Sequence, residues 1–507
     1  MDQSLSTQRK LGTLLSYAML FCNTVINLAY VPILLSFIGV SEFGLYRLLG
    51  SIIAYFNILD FGLSTTIIRF LVKYRVENNQ KCIDKLITMS LILYMIIGLI
   101  LCLIGLIFYY FIPIFFSDSL TLDMINSAKT IFILLLLNLL MLFSSKVFDS
   151  IIISKEHFVF HRLISLLQIV LQPFFIVATV YFYPTALSVV IVQTLFNLVL
   201  SVTKIIYCRY KLKVVFRYHG WDNSIIVSIR NLSISLFVVS VVDQIFWQSS
   251  QLLIGMKISA AAVAVYAIAS QIYINYMNIS LAISGTLLPK VTKMVSERYD
   301  DKSFQELFLR IGRLQFYLLS FITSCFIIFG HSFLHYWVGD GFGIVYSITL
   351  LIIIPFTIDL IQNVGLAIMQ ARNVFHIRAI IYAFVGILNI ILSYYWIDWY
   401  GIIGGAFATG LCMIIGNGIL MNIYYQKYLK LDIFNFWKGI FPILLVSILI
   451  TFFGDIILSQ VNLHKSIYIF IINLIIYSTI YFILQWKFNF NTYENGILYS
   501  ILSKFNR

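Results

Sequence analysis

RNLSISLFVVSVVDQIFWQSSQLLIG, residues 230–255, is long and apolar enough to cross a bilayer, yet its middle, VVDQIFWQSSQ (241–251), carries a carboxylate, three glutamines, two serines and a tryptophan. An Asp at the centre of a spanning helix costs roughly 2.5–3.5 kcal/mol, so such a residue faces the bundle interior or a water-filled cavity instead of lipid. The spacing orders the polar side chains. Gln244, Gln248 and Gln251 recur at i, i+4, i+7, and Asp243, Trp247 and Gln251 at i, i+4, i+8, which makes one stripe on one helix face.

The rest of the chain has the same character. With 61% hydrophobic and 11% charged residues and a mean hydropathy of +0.95, it lies far outside the range of a soluble globular protein. Apolar windows of about 20 residues recur along the whole length, and windows of that length must be helices. We expect about fourteen transmembrane helices, near 11–38, 44–72, 86–112, 127–152, 159–183, 185–208, 231–255, 260–288, 309–332, 345–370, 378–397, 401–425, 438–458 and 465–486. The pairs 159–183 and 185–208 must form a hairpin. With both termini in the cytoplasm, 29 of the 34 basic residues fall on the cytoplasmic side, among them Lys73, Arg75, Lys146, Lys155, Arg217, Arg313, Lys504 and Arg507. Arg47, Arg69, Lys129, Lys257 and Lys465 are the five left over. The net charge of +13 is therefore topology and attraction to anionic headgroups, and no nucleic-acid partner is expected. Six scattered cysteines without paired spacing predict free thiols, with neither disulfide nor zinc. The first apolar segment has no small-residue cleavage site and is expected to stay as the first span.

The chain aligns with itself. At an offset of 220 residues Asn23 meets Asp243, Asn27 meets Trp247 and Tyr46 meets Tyr266; at 216, SKEHFVFHR (154–162) lies over QARNVFHIR (370–378). Each half has six spans and starts in the cytoplasm, so the halves are parallel repeats about an axis along the membrane normal. The expected organisation is a six-helix lobe at 1–210, a basic cytoplasmic linker at 211–229, a second six-helix lobe at 230–430, and two further helices with a cytoplasmic tail at 431–507.

Polar residues gather on matching helices of the two halves. Asn23 and Asn27 occupy the place of the 243–251 stripe, Asp60 lies on the second span, and Asp359, Gln362 and Asn363 follow at i, i+3, i+4 on the tenth. Asp60, Asp243 and Asp359 sit about 18–24 Å into their spans, near the midplane. Such a set reads as the lining of a hydrated path. Arg47 and Arg69 bracket the second span, and a guanidinium at each mouth suits an anionic passenger. There is no GxxxxGK[ST] loop, GDGFGI (339–344) follows no strand, and HSFLH (331–335) has no HExxH, so neither cofactor nor metal is expected. No external loop exceeds about 15 residues, which leaves little machinery for catalysis.

IGVSEFGLYRLLGSIIAYFNILDFGLSTTIIRFLVKYR (38–75), VAVYAIASQIY (263–273), LLPKVTKM (287–294) and DWYGIIGGAFATGL (398–411) resemble the polysaccharide-biosynthesis exporters, the Wzx-type oligosaccharide-lipid flippases. The shared marks are a glycine-bearing FGLY turn, an LDFGL element and a basic residue before the cytoplasmic loop; Asp60 and Arg69 match pattern residues, whereas the 244–251 glutamines match none. The resemblance implies an all-α, MATE-like membrane fold of two six-helix lobes around a central cavity, plus two C-terminal helices. It implies a non-enzymatic flippase that moves a polyprenyl-diphosphate-linked oligosaccharide to the outer leaflet of the inner (cell) membrane by alternating access. The product would be O-antigen (lipopolysaccharide), capsule or a related polymer, with membrane lipids and the polymerase machinery as partners. Two alternatives stand beside it, a MATE-type exporter of small organic cations and a membrane sugar polymerase.

Overall fold

The computed structural model describes residues 2–214, 223–284, 287–372, 374, 376–460, 463–464, 466–496 and 499. Residues 215–222 of the expected linker lie outside these, as do Arg217, Lys465, Lys504 and Arg507. Among the described residues all regular structure is helical: α1 (Asp2–Phe56), α2 (Leu63–Val76), α3 (Gln80–Phe115), α4 (Leu122–Ser154), α5 (Phe158–Phe182), α6 (Ala186–Ile206), α7 (Asn223–Lys257), α8 (Ala260–Ser284), α9 (Leu287–Ser296), α10 (Asp301–Val338), α11 (Gly343–Leu360), α12 (Asn363–Ala371), α13 (His376–Tyr400), α14 (Ile402–Met413), α15 (Asn422–Lys427), α16 (Ile433–Leu458) and α17 (Ile467–Asn489). A 3-10 turn fills Asn57–Asp60, and π-helical segments fill Tyr207–Lys211 and Ile414–Met421.

Twelve of these segments are long and apolar enough to cross a membrane. The first, Leu14–Val76, counts as two spans, because Gly39 adopts φ 77° and ψ 170° and bends α1 where a continuous helix would far outrun the bilayer. The helix carrying the 243–251 stripe is α7. The expected hairpin is present, with Thr185 capping α6 through Ser188 N. Other helices start on the side chains the sequence offers there: Asn79 accepts from Cys82 N, Thr121 from Met124 N, Asp300 from Ser303 N and Asp432 from Asn435 N. At Asp300, outside the spans, the Ser303 hydroxyl and amide hold the carboxyl below its ordinary range.

In lipid, apolar side chains gain nothing by leaving one hydrocarbon for another, so helices associate through close packing and polar contacts. α3 illustrates the division. Met95, Leu99, Leu103, Leu106 and Tyr110 point outward on one face, whereas Tyr94, Ile97, Gly98, Leu101 and Gly105 are buried on the other. Gly105 lets Leu136 of α4 lie where a Cβ would stand.

Cα packing groups Met1–Ile268 with Asn389–Gly405 as one compact unit, and Ala269–Leu388 with Ala406–Arg507 as a second. The halves of the chain also share local backbone. The turn that ends α2, with Glu77 N bonded to Lys73 O, Asn78 N to Arg75 O and Asn79 N to Tyr74 O, recurs 220 residues later as Glu297 to Lys293, Arg298 to Val295 and Tyr299 to Met294. Asn78 and Arg298 both take positive φ there. Lys213 and Lys430 do so 217 residues apart.

In the second unit α16 and α17 are fastened to α10 by a ladder of hydroxyls. Ser320 Oγ lies 2.9 Å from Tyr481 Oη, Ser324 Oγ bonds Tyr477 and Thr451, and Ser447 Oγ lies 2.7 Å from Tyr481 Oη and accepts from Gln485 Nε2 at 2.8 Å. At the end of the ladder Arg313, 9% exposed, meets Glu494, 3% exposed. Arg313 Nε and Nη2 donate to the two carboxylate oxygens at 2.7 and 2.9 Å, and its remaining donors reach Gly439 O, Asn489 O and Tyr317 Oη. Arg313, counted by the sequence with the cytoplasmic charge, thus belongs to a buried clamp.

Candidate functional site

The stretch from Gly39 to Gly62 organises the first unit residue by residue. Glu42 Oε2 accepts from Ala186 N at 2.7 Å, placing an anion at the start of α6. Gly44 faces α8 so closely that a Cβ would overlap the carbonyl of Ala260. Tyr46 Oη accepts from Gln193 Nε2 at 2.6 Å, and Arg47 O accepts from Gln251 Nε2 at 2.9 Å. Gly50, two turns on, meets nothing within 4 Å. The FGLY segment, helical within α1, is thus a junction of α1 with α6, α7 and α8.

The helix then breaks. After the 3-10 turn, Phe61 (φ 51°) and Gly62 (φ 64°) are both left-handed, and α2 restarts at Leu63. Asp60 sits at this break, where Tyr94 Oη of α3 donates to its Oδ1 at 2.8 Å and Lys146 Nζ of α4 lies 3.1 Å from the same oxygen. The Lys146 ammonium also lies 5.0 Å from the Phe143 ring centre. Lys146, counted by the sequence among the basic residues of the cytoplasmic side, thus has a carboxylate partner. The side chains of Lys146 and Asp60 retain 22% and 16% exposure. Charges in spanning helices are costly toward lipid, by several kcal/mol, unless paired or facing a cavity.

The 243–251 stripe divides by neighbour. Gln251 is buried against Arg47 O, and the buried Ser250 lies 3.1 Å from Ser393 Oγ of α13 and reaches Gly405 O. Asn389 Nδ2 donates to Phe246 O at 3.2 Å, so one edge of the stripe is packing. Asp243, Gln244, Trp247 and Gln248 are half-buried beside it. Gln244 Oε1 is buried without a hydrogen bond among the described atoms. Asn27 Nδ2 donates to Asn23 Oδ1 at 2.9 Å along α1, and Arg69 is exposed on α2.

Asp359, Gln362 and Asn363 lie in the second unit, at the interruption between α11 and α12. Tyr382 Oη lies 3.3 Å from Asp359 Oδ1 and donates to Asn417 Oδ1 at 2.6 Å. Gln362, 2% exposed, donates to Asn422 Oδ1 at 2.9 Å. Arg378 covers the Tyr382 ring at 4.5 Å. The Asn363 amide nitrogen is buried without a bond among the described atoms. Tyr382, Asn417, Gln362 and Asn422 form a buried network at the π-helical stretch, a distortion often found at functional positions.

Sequence reasoning missed three features besides Lys146. An amide chain joins α4, α5 and α6, running from Gln172 to Gln168, Asn197, Asn138 and Thr194. Gln168 and Gln172 at i, i+4 were its visible signal. Asp149 bonds Lys204 at 2.8 Å and lies 3.3 Å from His161. On the basic face Arg75 and Lys155 donate to Ser154 O and Leu212 O, satisfying helix ends. Burial, then the Arg75 guanidinium, holds the Lys155 ammonium below its usual range; burial, then Lys155, Lys211 and Arg75, lowers His157.

The fold has known counterparts. A lipid II flippase, MurJ, in an inward closed conformation is similar with a TM-score of 0.72 at 15% identity, over 94% of this chain and 98% of that one. An inward-facing multidrug resistance MATE transporter of the MOP superfamily aligns with a TM-score of 0.66 at 14% identity, over 80% and 96%. A MOP superfamily transporter from Pyrococcus furiosus gives 0.57 at 14%, over 83% and 97%. Curated proteins offer no sequence match. The family described as polysaccharide biosynthesis protein matches residues 11–295, which takes in the FGLY junction, the Asp60 break and the whole glutamine stripe. With more than half of its length matched, and a fold shared with MurJ and the MATE transporters, this chain belongs to the polysaccharide biosynthesis protein family.

Proposed function

We propose that the protein is a flippase that carries a polyprenyl-diphosphate-linked oligosaccharide from the cytoplasmic to the outer leaflet of the cell membrane by alternating access, for assembly of O-antigen, capsule or a related polysaccharide. The observation that carries the reading is the extent of the shared fold. The lipid II flippase covers 94% of the chain and the MATE transporter 80%. The chain has α16 and α17 beyond the expected paired lobes. Family membership supports the same class. In this reading the lobes are 1–210 and 230–430, both termini are cytoplasmic, and the protein transports without catalysing.

Asp243, Gln244, Trp247 and Gln248 offer sugars hydrogen bonds and an aromatic platform, with Asn23 and Asn27 as counterparts in the first half. Arg47 and Arg69 attract the diphosphate. Asp359, Gln362 and Asn363 provide the polar break of the second half. Gln248→Leu is expected to slow glycolipid movement several-fold at unchanged abundance. Gln251→Leu also removes a helix-to-backbone bond worth about 0.6 kcal/mol and lowers thermal stability slightly. Equal transport by Gln248→Leu and the unmodified protein would remove that side chain from the path.

The direct test is reconstitution. Vesicles loaded with polyprenyl-diphosphate-linked oligosaccharide should gain glycan accessible to an external glycan-modifying enzyme only when the protein is present. No gain, together with protein-dependent accumulation of an organic cation, would assign the chain to the small-molecule exporters. Appearance of longer glycans from single units would assign it to the polymerases.

A further inference from the structure

The junction of Asp60, Tyr94 and Lys146 has a counterpart in the second half of the chain. The turns at Asn78 and Arg298 fix an offset of 220, which sets Ser280 opposite Asp60. The helix caps Asn79 and Asp300 fix 221 for the next helix, which sets Gln315 opposite Tyr94. At 216 Lys146 corresponds to Gln362. The first two of these residues also meet. Gln315 Nε2 donates to Ser280 Oγ at 3.0 Å and to Ser280 O at 3.2 Å, and Ser280 Oγ reaches Leu360 O, two residues before Gln362. Ser280 and Gln315 are fully buried and Gln362 is 2% exposed.

One half therefore fills the matching positions with neutral, buried amide and hydroxyl groups, whereas the other fills them with a charged and partly open pair. The fold does not require the charges, and an ion pair in such surroundings is at best break-even against a neutral substitute. Its presence beside a helix break, with both side chains part-exposed, points to a use in which the two partners separate. A carboxylate on an ammonium occupies the place that a phosphate oxygen takes on the same donor.

We infer that Lys146 recognises the diphosphate of the passenger, with Asp60 standing in for the phosphate until the anion arrives. The anion displaces the carboxylate from the ammonium, and Tyr94 Oη continues to hold Asp60. The assignment rests on the reading of the passenger as a polyprenyl diphosphate, and it adds Lys146 to the arginines at the mouths.

The test uses the purified full-length protein and inorganic pyrophosphate as probe, read as stabilisation against heating. Asp60→Asn removes the competing carboxylate, so half-maximal stabilisation should need at least about ten-fold less pyrophosphate than in the unmodified protein, a change of about 1.4 kcal/mol. Lys146→Gln should abolish the effect and Lys146→Arg retain it. The double variant Asp60→Asn/Lys146→Gln copies the neutral junction, so it should keep normal abundance while failing to bind. Unchanged pyrophosphate stabilisation in Lys146→Gln, or no tightening in Asp60→Asn, would overturn the inference. Competition by phosphatidylglycerol as strong as by pyrophosphate would overturn the diphosphate assignment. In vesicles the two proposals separate. Glycolipid movement at full rate by Lys146→Gln sinks the role of Lys146 and leaves the flippase reading intact; movement by no variant, with the pyrophosphate pattern as expected, does the reverse.

Discussion

Arg313→Ala is expected to lose most of its protein from the membrane. The substitution leaves the Glu494 carboxylate buried without its bidentate partner and strips donors from Gly439 O and Asn489 O. Breaking a buried pair on one side costs about 3–5 kcal/mol, a large share of the stability of an ordinary domain. Glu494→Ala should match it, because the guanidinium is then the orphan. Replacing both at once, as Arg313→Met/Glu494→Leu, should recover much of the abundance, since apolar side chains of similar volume avoid the desolvation of two ions. Detergent-solubilised protein followed by size-exclusion profile and melting temperature reads all three. A single variant that melts with the unmodified protein would show that the clamp contributes nothing.

Gly44→Ala should be nearly as damaging, although it adds one carbon. Its Cβ would overlap the Ala260 carbonyl and crowd Ala264 N, and main chain cannot swing aside as a side chain can. Overpacking costs about 1–3 kcal/mol when side chains can yield, and this contact leaves nothing to yield. Gly50→Ala is the matched control, in the same helix and with open space around it. It should be neutral or stabilising by up to about 1 kcal/mol, because alanine favours the helix. Equal melting temperatures for the two alanine variants would refute the close approach of α1 to α8.

The contrast between these sites explains what the sequence disclosed. Spanning helices were legible because an apolar window of bilayer length has one physical outcome, whatever its neighbours do. The break at Asp60 was half legible, since a glycine after a polar turn announces an interruption but not its partners. Lys146 and Arg313 were opaque. A basic residue toward the end of a hydrophobic segment spells the same whether it snorkels to headgroups or meets a carboxylate on a distant helix. Likewise Gln251 and Gln248 lie on one stripe by spacing, and only packing tells that one serves the Arg47 carbonyl. Periodicity fixes the face of a helix; the identity of what lies opposite is a tertiary fact.

The hydroxyl ladder that holds α16 and α17 spreads its strength over many weak rungs. Each such bond in a membrane is worth only about 0.6 kcal/mol, so losing any single serine or threonine should pass almost unnoticed. Drift at those positions is therefore cheap one at a time and ruinous in combination, which lets the seam tolerate mutation by redundancy while the arginine at its end tolerates none.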